Sequence, residues 1–340
     1  IVSGTHALSI GLFGILRPGD VMYSIAGKPY DTLEEVIGLS GNPGDGSLRD
    51  FGVDYAQTEL SALDGGFDFA AIRKTLERLG ERVKMVFIQR SKGYLNRKTL
   101  SVAEIGEAVR FVKAIRPEVY VVVDNCYGEF LDVKEPTEVG ADIMAGSLIK
   151  NPGGGLAMTG GYVAGRQDLV DLISYRMTSP GIGGECGLMF DQTRTMFQGM
   201  FQAPKVVNGA VKGAILCGKV YEKLGYEVCP KAEDTRSDII QAVQLRDPDS
   251  LVLFCQAIQA AAPIDAHVAP VPWAMPGYES DVIMAAGAFV QGSSIELSAD
   301  APMREPYNVY FQGGLTYEHS KFGVIKSVDA LYKAGKVEIV

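Results

Sequence analysis

Basic clusters, paired cysteines and long apolar runs are lacking from this sequence of 340 residues, and each absence excludes a class of protein. The net charge of −9 and the isoelectric point near 5.0 argue against nucleic-acid binding, which needs clustered lysine and arginine. The longest apolar stretches, such as residues 282–290, are well short of the roughly 20 residues that span a bilayer. We therefore expect no nucleic-acid partner and no membrane partner.

Histidine and cysteine, which often bind transition metals, are also scarce. The three histidines, His6, His267 and His319, are far apart, so the sequence contains no clustered set of metal ligands. The five cysteines are an odd number, are scattered, and include no C-x-x-C pair. The sequence therefore predicts no metal site and a reduced, cytoplasmic protein.

The length exceeds the roughly 250 to 300 residues at which a single core stops growing, so we expect more than one domain. Over residues 1–165 predicted strands alternate with predicted helices, a pattern typical of a doubly wound, mainly parallel α/β sheet. From about Gly225 the apolar runs become shorter and are broken by proline and glycine. We predict a large domain over residues 1–225 and a smaller α+β domain over residues 226–340.

Hydrophobic spacing predicts the elements of the large domain. Six strands are predicted, at 21–26, 51–57, 83–89, 119–124, 141–146 and 160–164. Helices are predicted at 7–15, 69–79, 101–114 and 206–224. Ser101 and Glu104 have the spacing of a capping box and mark the start of the third helix.

One lysine, Lys150, lies in an otherwise apolar and glycine-rich stretch, residues 145–155. The β-branched run 121–123 predicts a buried strand that ends in Asp124, and open α/β sheets bind ligands beyond the carboxyl ends of their strands. Pyridoxal phosphate (PLP) requires both groups, because the amine condenses with its aldehyde and the acid pairs with its ring nitrogen. Taken singly, each residue is more often structural, as a solvated lysine or a turn residue. Together with a phosphate site, they favour PLP.

A polar loop, residues 3–6, leads into the first apolar helix and is the candidate phosphate site. A helix N-terminus offers free N–H groups and the positive end of the helix dipole. The alternative is an ordinary helix cap by Ser3 or Thr5, which would be favoured if this loop stood alone. The chain begins at Ile1 without a methionine and runs directly into this loop, so we expect that an N-terminal segment is missing from the sequence.

The motifs resemble those of the PLP enzymes of cysteine and methionine metabolism, in the same order and spacing. The matching segments are 3–7, 16–20, Tyr30, 121–125 and 147–150. More closely, the sequence resembles the methionine gamma-lyase family, in the branch labelled aluminium resistance protein. That resemblance is carried by residues 27–32, 124–130, 146–155, 179–183 and 313–319, and it covers nearly the entire chain.

The resemblance implies the aspartate aminotransferase-like fold (PLP fold type I), with a mainly parallel sheet in the large domain. It also implies a homodimer or homotetramer whose active sites are shared between subunits. By the matching motifs, Lys150 would hold PLP, Asp124 would pair with the pyridine nitrogen, and Tyr30 would stack on the ring. Three residues would bind the phosphate: Gly4, Thr5 and Ser147.

The substrate-binding residues depart from the family pattern. The gamma-lyases hold the substrate carboxylate with an arginine on a late strand, where this chain has residues 309–312 and no arginine. We expect Arg304 and Arg90 to replace it, because a planar guanidinium suits a carboxylate. An asparagine-rich loop of the gamma-lyases is also replaced here, by residues 90–94, so the resemblance leaves the substrate open.

The leading hypothesis is elimination from a sulfur-containing amino-acid substrate. Lys150 would remove the α-proton, with a pKa lowered by desolvation, and Tyr30 or Tyr127 would pass a proton to the leaving thiolate. The fold leaves other PLP reactions open, namely β-elimination, transamination and aldol cleavage. A non-catalytic PLP-binding protein linked to metal tolerance is the alternative from a different class.

Overall fold

Two sheets form the framework of the structure, a computed structural model that describes residues 1–187, 189–275 and 278–338. The strands of the first sheet are β1 (Val21–Ser24), β2 (Asp54–Gln57), β3 (Val83–Gln89), β4 (Tyr120–Asp124), β5 (Ile143–Ser147) and β6 (Gly161–Gly165). Their order is β2-β1-β3-β4-β5-β6, and all pairs are parallel except β5 with β6. The predicted mainly parallel α/β sheet is confirmed, and each predicted strand is present with small shifts at its ends.

The central strands are buried on both faces, which explains their β-branched sequence. Val121 and Val123 pack against α3 (Phe69–Leu79) and α4 (Val102–Ile115). Val122 packs on the opposite face, where three further helices lie: α1 (Gly4–Ile15), α2 (Asp31–Ile37) and α5 (Gln167–Ser174). Burial of each such valine stabilises the fold by about 1.5 kcal/mol or more. The sheet is therefore a rigid support for the loops at its carboxyl edge.

The helices follow the sequence-based predictions with one correction. Ser101 and Glu104 form the predicted capping box at the start of α4. The helix predicted over residues 206–224 is only the second half of α6 (Gln192–Lys223), which continues through Pro204. None of the helices in the described residues has the length and apolar composition needed to cross a bilayer.

The second sheet is antiparallel and lies in the C-terminal third of the chain. In spatial order its strands are β7 (Glu227–Cys229), β8 (Ile240–Gln244), β11 (Asn308–Gln312), β10 (Ser298–Pro302) and β9 (Val282–Ala285). One face packs against α6 and two further helices, α7 (Pro248–Gln259) and α8 (Tyr317–Lys333). This arrangement agrees with a smaller α+β unit, although the limits 1–225 and 226–340 stay a prediction.

The side chains of β10 alternate between the two faces of the second sheet. Ala299 and Ala301 are fully buried in the core beneath the helices. Ser298 and Asp300 point the other way, because successive side chains of a strand lie on opposite faces. The face that carries them turns toward the polar loops of the first sheet, where Tyr310 contacts Tyr94.

Candidate active site

A cavity lies between the two sheets, at the carboxyl ends of the parallel strands. It has two adjoining parts, with volumes of about 170 and 40 Å³. Five residues line both parts: Tyr30, Tyr127, Lys150, Asp300 and Gln312. Ligands of open α/β sheets bind at this edge. Four predicted site residues line the cavity: Tyr30, Tyr127, Lys150 and, in its smaller part, Asp124.

The loop after β5 brings Lys150 into the cavity. The loop is so tight that a Cβ on Gly153 would lie 1.7 Å from the backbone oxygen of Leu148, so only glycine fits there. Lys150 Nζ lies 4.1 Å from the centroid of the Tyr127 ring, within the range of a cation–π interaction. The glycine-rich sequence therefore serves to fold the chain sharply around the lysine.

Asn151, the next residue, connects Lys150 to the turn that carries Tyr127. Its Nδ2 donates hydrogen bonds to the backbone oxygens of Tyr127 and Glu129, at 3.0 Å each. Tyr127 has a φ of +70°, which is unusual for a residue other than glycine and costs about 1–3 kcal/mol. Asn151 thus holds a strained turn in the conformation that sets the Tyr127 ring beside Nζ.

Asp124 ends β4 and lines the smaller part of the cavity. Its side chain is buried, and Oδ1 accepts a hydrogen bond from the backbone N–H of Cys126 at 3.1 Å. Burial raises the pKa of Asp124, while the positive charge of Lys150 opposes that rise. The predicted acid and the predicted lysine therefore share one cavity and interact electrostatically.

The surroundings of Lys150 contradict one sequence-based expectation. Burial alone would lower the pKa of this amine, but the acidic groups around it raise the pKa above its ordinary range. Those groups belong to Cys126, Tyr127, Asp124 and Glu129. The expected lowering of the Lys150 pKa is wrong for this arrangement, because it considered desolvation without the neighbouring acids.

Glu129 is a buried acid near Lys150 that sequence reasoning did not identify as a site residue. Its Oε1 accepts a hydrogen bond from the Tyr162 hydroxyl at 2.8 Å, whereas Oε2 has no partner among the described residues. Burial raises the pKa of Glu129 to about 8, so the group keeps its proton at neutral pH. Its position five residues after Asp124, in the same motif, was the available signal.

The candidate phosphate residues come together where α1 meets the end of β5. Gly4 packs directly on Ser147, and a Cβ on Gly4 would lie only 2.7 Å from Ser147 Cβ. Thr5 Oγ1 lies 3.5 Å from the hydroxyl of Thr32 at the start of α2. Ser3 also caps α1 by accepting a hydrogen bond from His6 N, so the capping role is real and coexists with the proposed one.

Tyr30 lies at the start of α2 and lines both parts of the cavity. Its hydroxyl is hydrogen-bonded to that of Tyr278. Its ring meets the ring of Tyr94 edge-on, with the centroids 6.4 Å apart. Burial raises the pKa of Tyr30, so the phenol is neutral at physiological pH.

The inner faces of β10 and β11 form the roof of the cavity, which carries polar groups that sequence reasoning missed. Asp300 accepts hydrogen bonds from the Tyr94 hydroxyl and, at 2.8 Å, from Gln312 Nε2. Tyr310 donates to the backbone oxygen of Tyr94 at 2.7 Å and fixes that loop beneath the roof. Burial raises the pKa of Asp300 to about 6. The alternation of residues 298–301, Ser-Ala-Asp-Ala, was the signal for this polar face.

The two arginines predicted to bind the substrate do not line the cavity. Arg90 is fully buried and donates hydrogen bonds within the chain, to the backbone oxygens of Leu100 and Gly128 and the side chains of Asn125 and Asp132. Its guanidinium therefore holds the turn after β4. Arg304 is exposed in the turn between β10 and β11. Charge and shape alone suggested these residues, whereas the fold directs the first into an internal network and the second into solvent.

Potential metal ligands are dispersed in the structure. His6 Nδ1 accepts a hydrogen bond from Val2 N at 3.2 Å, and His319 Nε2 lies 2.7 Å from the backbone oxygen of Ala261. Within residues 1–187, 189–275 and 278–338, no group of three or more His, Cys, Asp or Glu side chains is arranged to hold a metal ion. The site therefore offers acid, amine, hydroxyl and aromatic groups for chemistry.

Comparison with known proteins places this site in a wider context. A family model described as methionine gamma-lyase matches residues 1–332. The uncharacterized protein YnbB of Bacillus subtilis (strain 168) is 54% identical over 331 residues, which cover 97% of this chain and 78% of YnbB. A carbon-sulfur lyase involved in aluminum resistance from Clostridium novyi NT is 52% identical, with a TM-score of 0.92 over 97% of this chain and 77% of that one.

A more distant solved structure bears on the fold. The metY product of Campylobacter jejuni, which contains N'-pyridoxyl-lysine-5'-monophosphate, has a TM-score of 0.61 at 15% identity. The match covers 98% of this chain and 80% of the other. The aspartate aminotransferase-like architecture, PLP fold type I, is thereby confirmed.

Proposed function

Because the chain belongs to the methionine gamma-lyase family, we propose that it is a PLP-dependent carbon–sulfur lyase acting on a sulfur-containing amino acid. The observation that carries this proposal is that Lys150 and Asp124 line one cavity at the carboxyl edge of the sheet. A lysine amine and a buried carboxylate in that position are the groups that PLP chemistry needs from a protein.

The residues that line the cavity, together with those at the N-terminus of α1, supply the kinds of group that PLP needs. Lys150 would hold the aldehyde carbon, and Asp124 would face the ring nitrogen. The flat ring of Tyr30 offers a stacking surface. The N-terminus of α1 at Gly4 and Thr5, with the hydroxyl of Ser147, would hold the phosphate. The close contact of Gly4 with Ser147 supports this assignment, because it brings the helix N-terminus and the serine side chain together.

When bound, PLP supplies an electron sink that stabilises negative charge at the substrate Cα. Lys150 Nζ would remove the proton from that carbon, for which the amine must first give up the proton that its raised pKa favours. The Tyr127 hydroxyl, whose raised pKa keeps it protonated at neutral pH, would donate a proton to the leaving thiolate. Overall, a thioether amino acid and water would give a thiol, a 2-oxo acid and ammonia.

The surface of α6 next to the site supports a shared active site between two copies of the chain. Its N-terminal half and the residues just before it expose large apolar side chains: Met189, Phe190, Phe197, Met200 and Phe201. An exposed apolar patch of this kind usually marks a protein interface. Gly199 packs directly on Gly153 in the Lys150 loop, since a Cβ on Gly199 would lie 2.1 Å from the Gly153 oxygen. A second subunit on this patch would therefore adjoin the site, in a homodimer or in a tetramer of such dimers.

Two measurements on the purified protein with added PLP test the proposal. The first is visible absorbance, because the covalent link between lysine and cofactor is the chromophore. Lys150→Ala should abolish the lysine-dependent band, and Lys321→Ala, an exposed lysine on α8, should leave it unchanged. The second is release of thiol and ammonia from methionine, cystathionine and cysteine.

The outcomes separate the cofactor from the reaction. A lysine-dependent band without thiol release would replace the lyase with another PLP reaction, such as transamination or aldol cleavage. No difference in absorbance between wild type and Lys150→Ala would overturn the PLP assignment itself. Sedimentation analysis tests the shared site, since Phe201→Glu on the apolar patch should favour the monomer.

A further inference from the structure

The roof of the cavity carries a buried acid, Asp300. Asp300 on β10 pairs with Tyr310 on β11, and Gln312 on β11 lines the cavity beside it. Among the described residues that line the two parts of the cavity, Lys150 is the one cation and no arginine is present. A negatively charged group of the substrate would therefore meet repulsion at the roof.

Asp300 retains capacity for a further hydrogen-bond donor. The Tyr94 hydroxyl donates to Oδ2, and Gln312 Nε2 donates to Oδ1. An ionised carboxylate offers about four acceptor positions, so two known donors leave room for a cationic donor. Both donors also fix the orientation of the carboxylate, because they approach from the loop below and the strand beside it.

Buried serine hydroxyls point to a ligand at the same end of the cavity. Ser293, Ser294 and Ser298 line the larger part, and each is more than nine-tenths buried. The Oγ atoms of Ser293 and Ser298 have no hydrogen-bond partner among the described residues, whereas Ser294 interacts with the Tyr127 side chain. Buried hydroxyls are nearly always partnered in native proteins, so two without a partner in one cavity point to a ligand that supplies the partners.

We propose that Asp300, Ser293 and Ser298 bind the far end of the substrate side chain, and that this end carries a primary ammonium. The proposal rests on the proposed function and specifies its substrate class, a thioether amino acid whose sulfur substituent ends in an ammonium group. An ammonium donates three hydrogen bonds, which the carboxylate of Asp300 and the hydroxyl oxygens can accept together. An apolar substituent would leave both the charge and the hydroxyls unpaired, and an acidic one would be repelled.

A matched pair of compounds tests this assignment on the PLP-loaded protein. S-(2-aminoethyl)-L-cysteine and S-propyl-L-cysteine have side chains of equal length and differ by a terminal ammonium in place of a methyl group. We expect the wild type to favour the aminoethyl compound by about tenfold or more in kcat/KM and in calorimetric affinity, as for a hydrogen bond to a charged group. Cleavage of the aminoethyl compound with water would give cysteamine, pyruvate and ammonia.

Three variants locate the preference. Asp300→Asn should remove it, while Asp281→Asn, an exposed acid beside β9, should retain it. Ser298→Ala keeps the charge of the roof and should reduce the preference only in part, which gives a second test if Asp300→Asn folds poorly. Thermal unfolding of each variant provides the folding control.

The inference and the proposed function can fail separately. Equal affinity of the wild type for the two compounds, or a preference for the propyl compound, overturns the inference, even if thiol release from either one supports the lyase. A preference that persists in Asp300→Asn also overturns it. A preference in affinity that depends on Asp300, without any thiol release, supports the inference and refutes the lyase.

Discussion

Replacement of Asn151 by alanine should destabilise the protein and displace the Tyr127 ring from Lys150. The side chain donates two hydrogen bonds of 3.0 Å, and the substitution leaves the backbone oxygens of Tyr127 and Glu129 without them. A lost hydrogen bond with its partner left buried costs about 1–3 kcal/mol. The positive φ of Tyr127 favours displacement of the ring, because the strained turn is then free to relax, and this relaxation offsets part of the lost hydrogen bonding. We therefore expect the free energy of unfolding to fall by about 2–4 kcal/mol.

Urea denaturation measures this change, and titration with PLP measures its effect on the site. Asn151→Asp separates hydrogen bonding from packing, because it keeps the shape of the side chain and removes the donor. It should be at least as destabilising as alanine. Asn42→Ala, in an exposed turn, is the control and should change stability by less than about 0.5 kcal/mol. If Asn151→Asp matched the wild type in stability and in PLP affinity, the coupling of the two loops would be refuted.

Three further predictions concern groups around the cavity. Arg90→Lys should lower the free energy of unfolding by about 3 kcal/mol or more, since a lysine cannot reproduce the hydrogen bonds of the buried guanidinium. A loss below about 1 kcal/mol in urea denaturation would contradict a structural role of Arg90. Glu129, with a pKa raised to about 8 from an ordinary value of 4.5, should make wild-type stability fall as pH rises between these values, because only the unfolded chain releases the proton there. In urea denaturation, the free energy of unfolding of Glu129→Gln should rise by about 2–4 kcal/mol relative to that of wild type between about pH 5 and pH 8. A difference that stays constant with pH would show that the pKa of this carboxyl is not shifted. Gly4→Ala should weaken PLP binding measured by equilibrium dialysis, because the new methyl group meets Ser147, while Gly11→Ala on the same helix has nothing within 4 Å and should not.

Local sequence predicted the parts of the fold that depend on local chemistry. The run of valines before Asp124 predicted a buried strand, and it is one, with both faces covered. The spacing of Ser101 and Glu104 likewise determines a helix start through its own hydrogen bonds. Lys150 was recognisable because the glycines that follow it are typical of a tight loop.

Other features depend on contacts between distant segments, which no local pattern encodes. Arg90 follows a strand at the edge where ligands bind, yet its guanidinium turns inward to residues 35 to 42 positions later. The lysine pKa also depends on three-dimensional neighbours, since Glu129 reaches Lys150 only after the turn at Tyr127 forms. Asp300 was missed for a similar reason, because a short strand does not reveal which of its faces will meet the first sheet.

The division of the cavity between two sheets has a consequence for how such enzymes diversify. The groups proposed to hold the cofactor belong to the first half of the chain, whereas Asp300, Gln312 and the serines come from a separate antiparallel sheet near its end. If both proposals hold, reaction type and substrate choice are encoded in segments that can change independently. Exchange of residues 282–312 between relatives should transfer the substrate preference of the donor protein. The recipient should keep its own lysine and its own affinity for the cofactor.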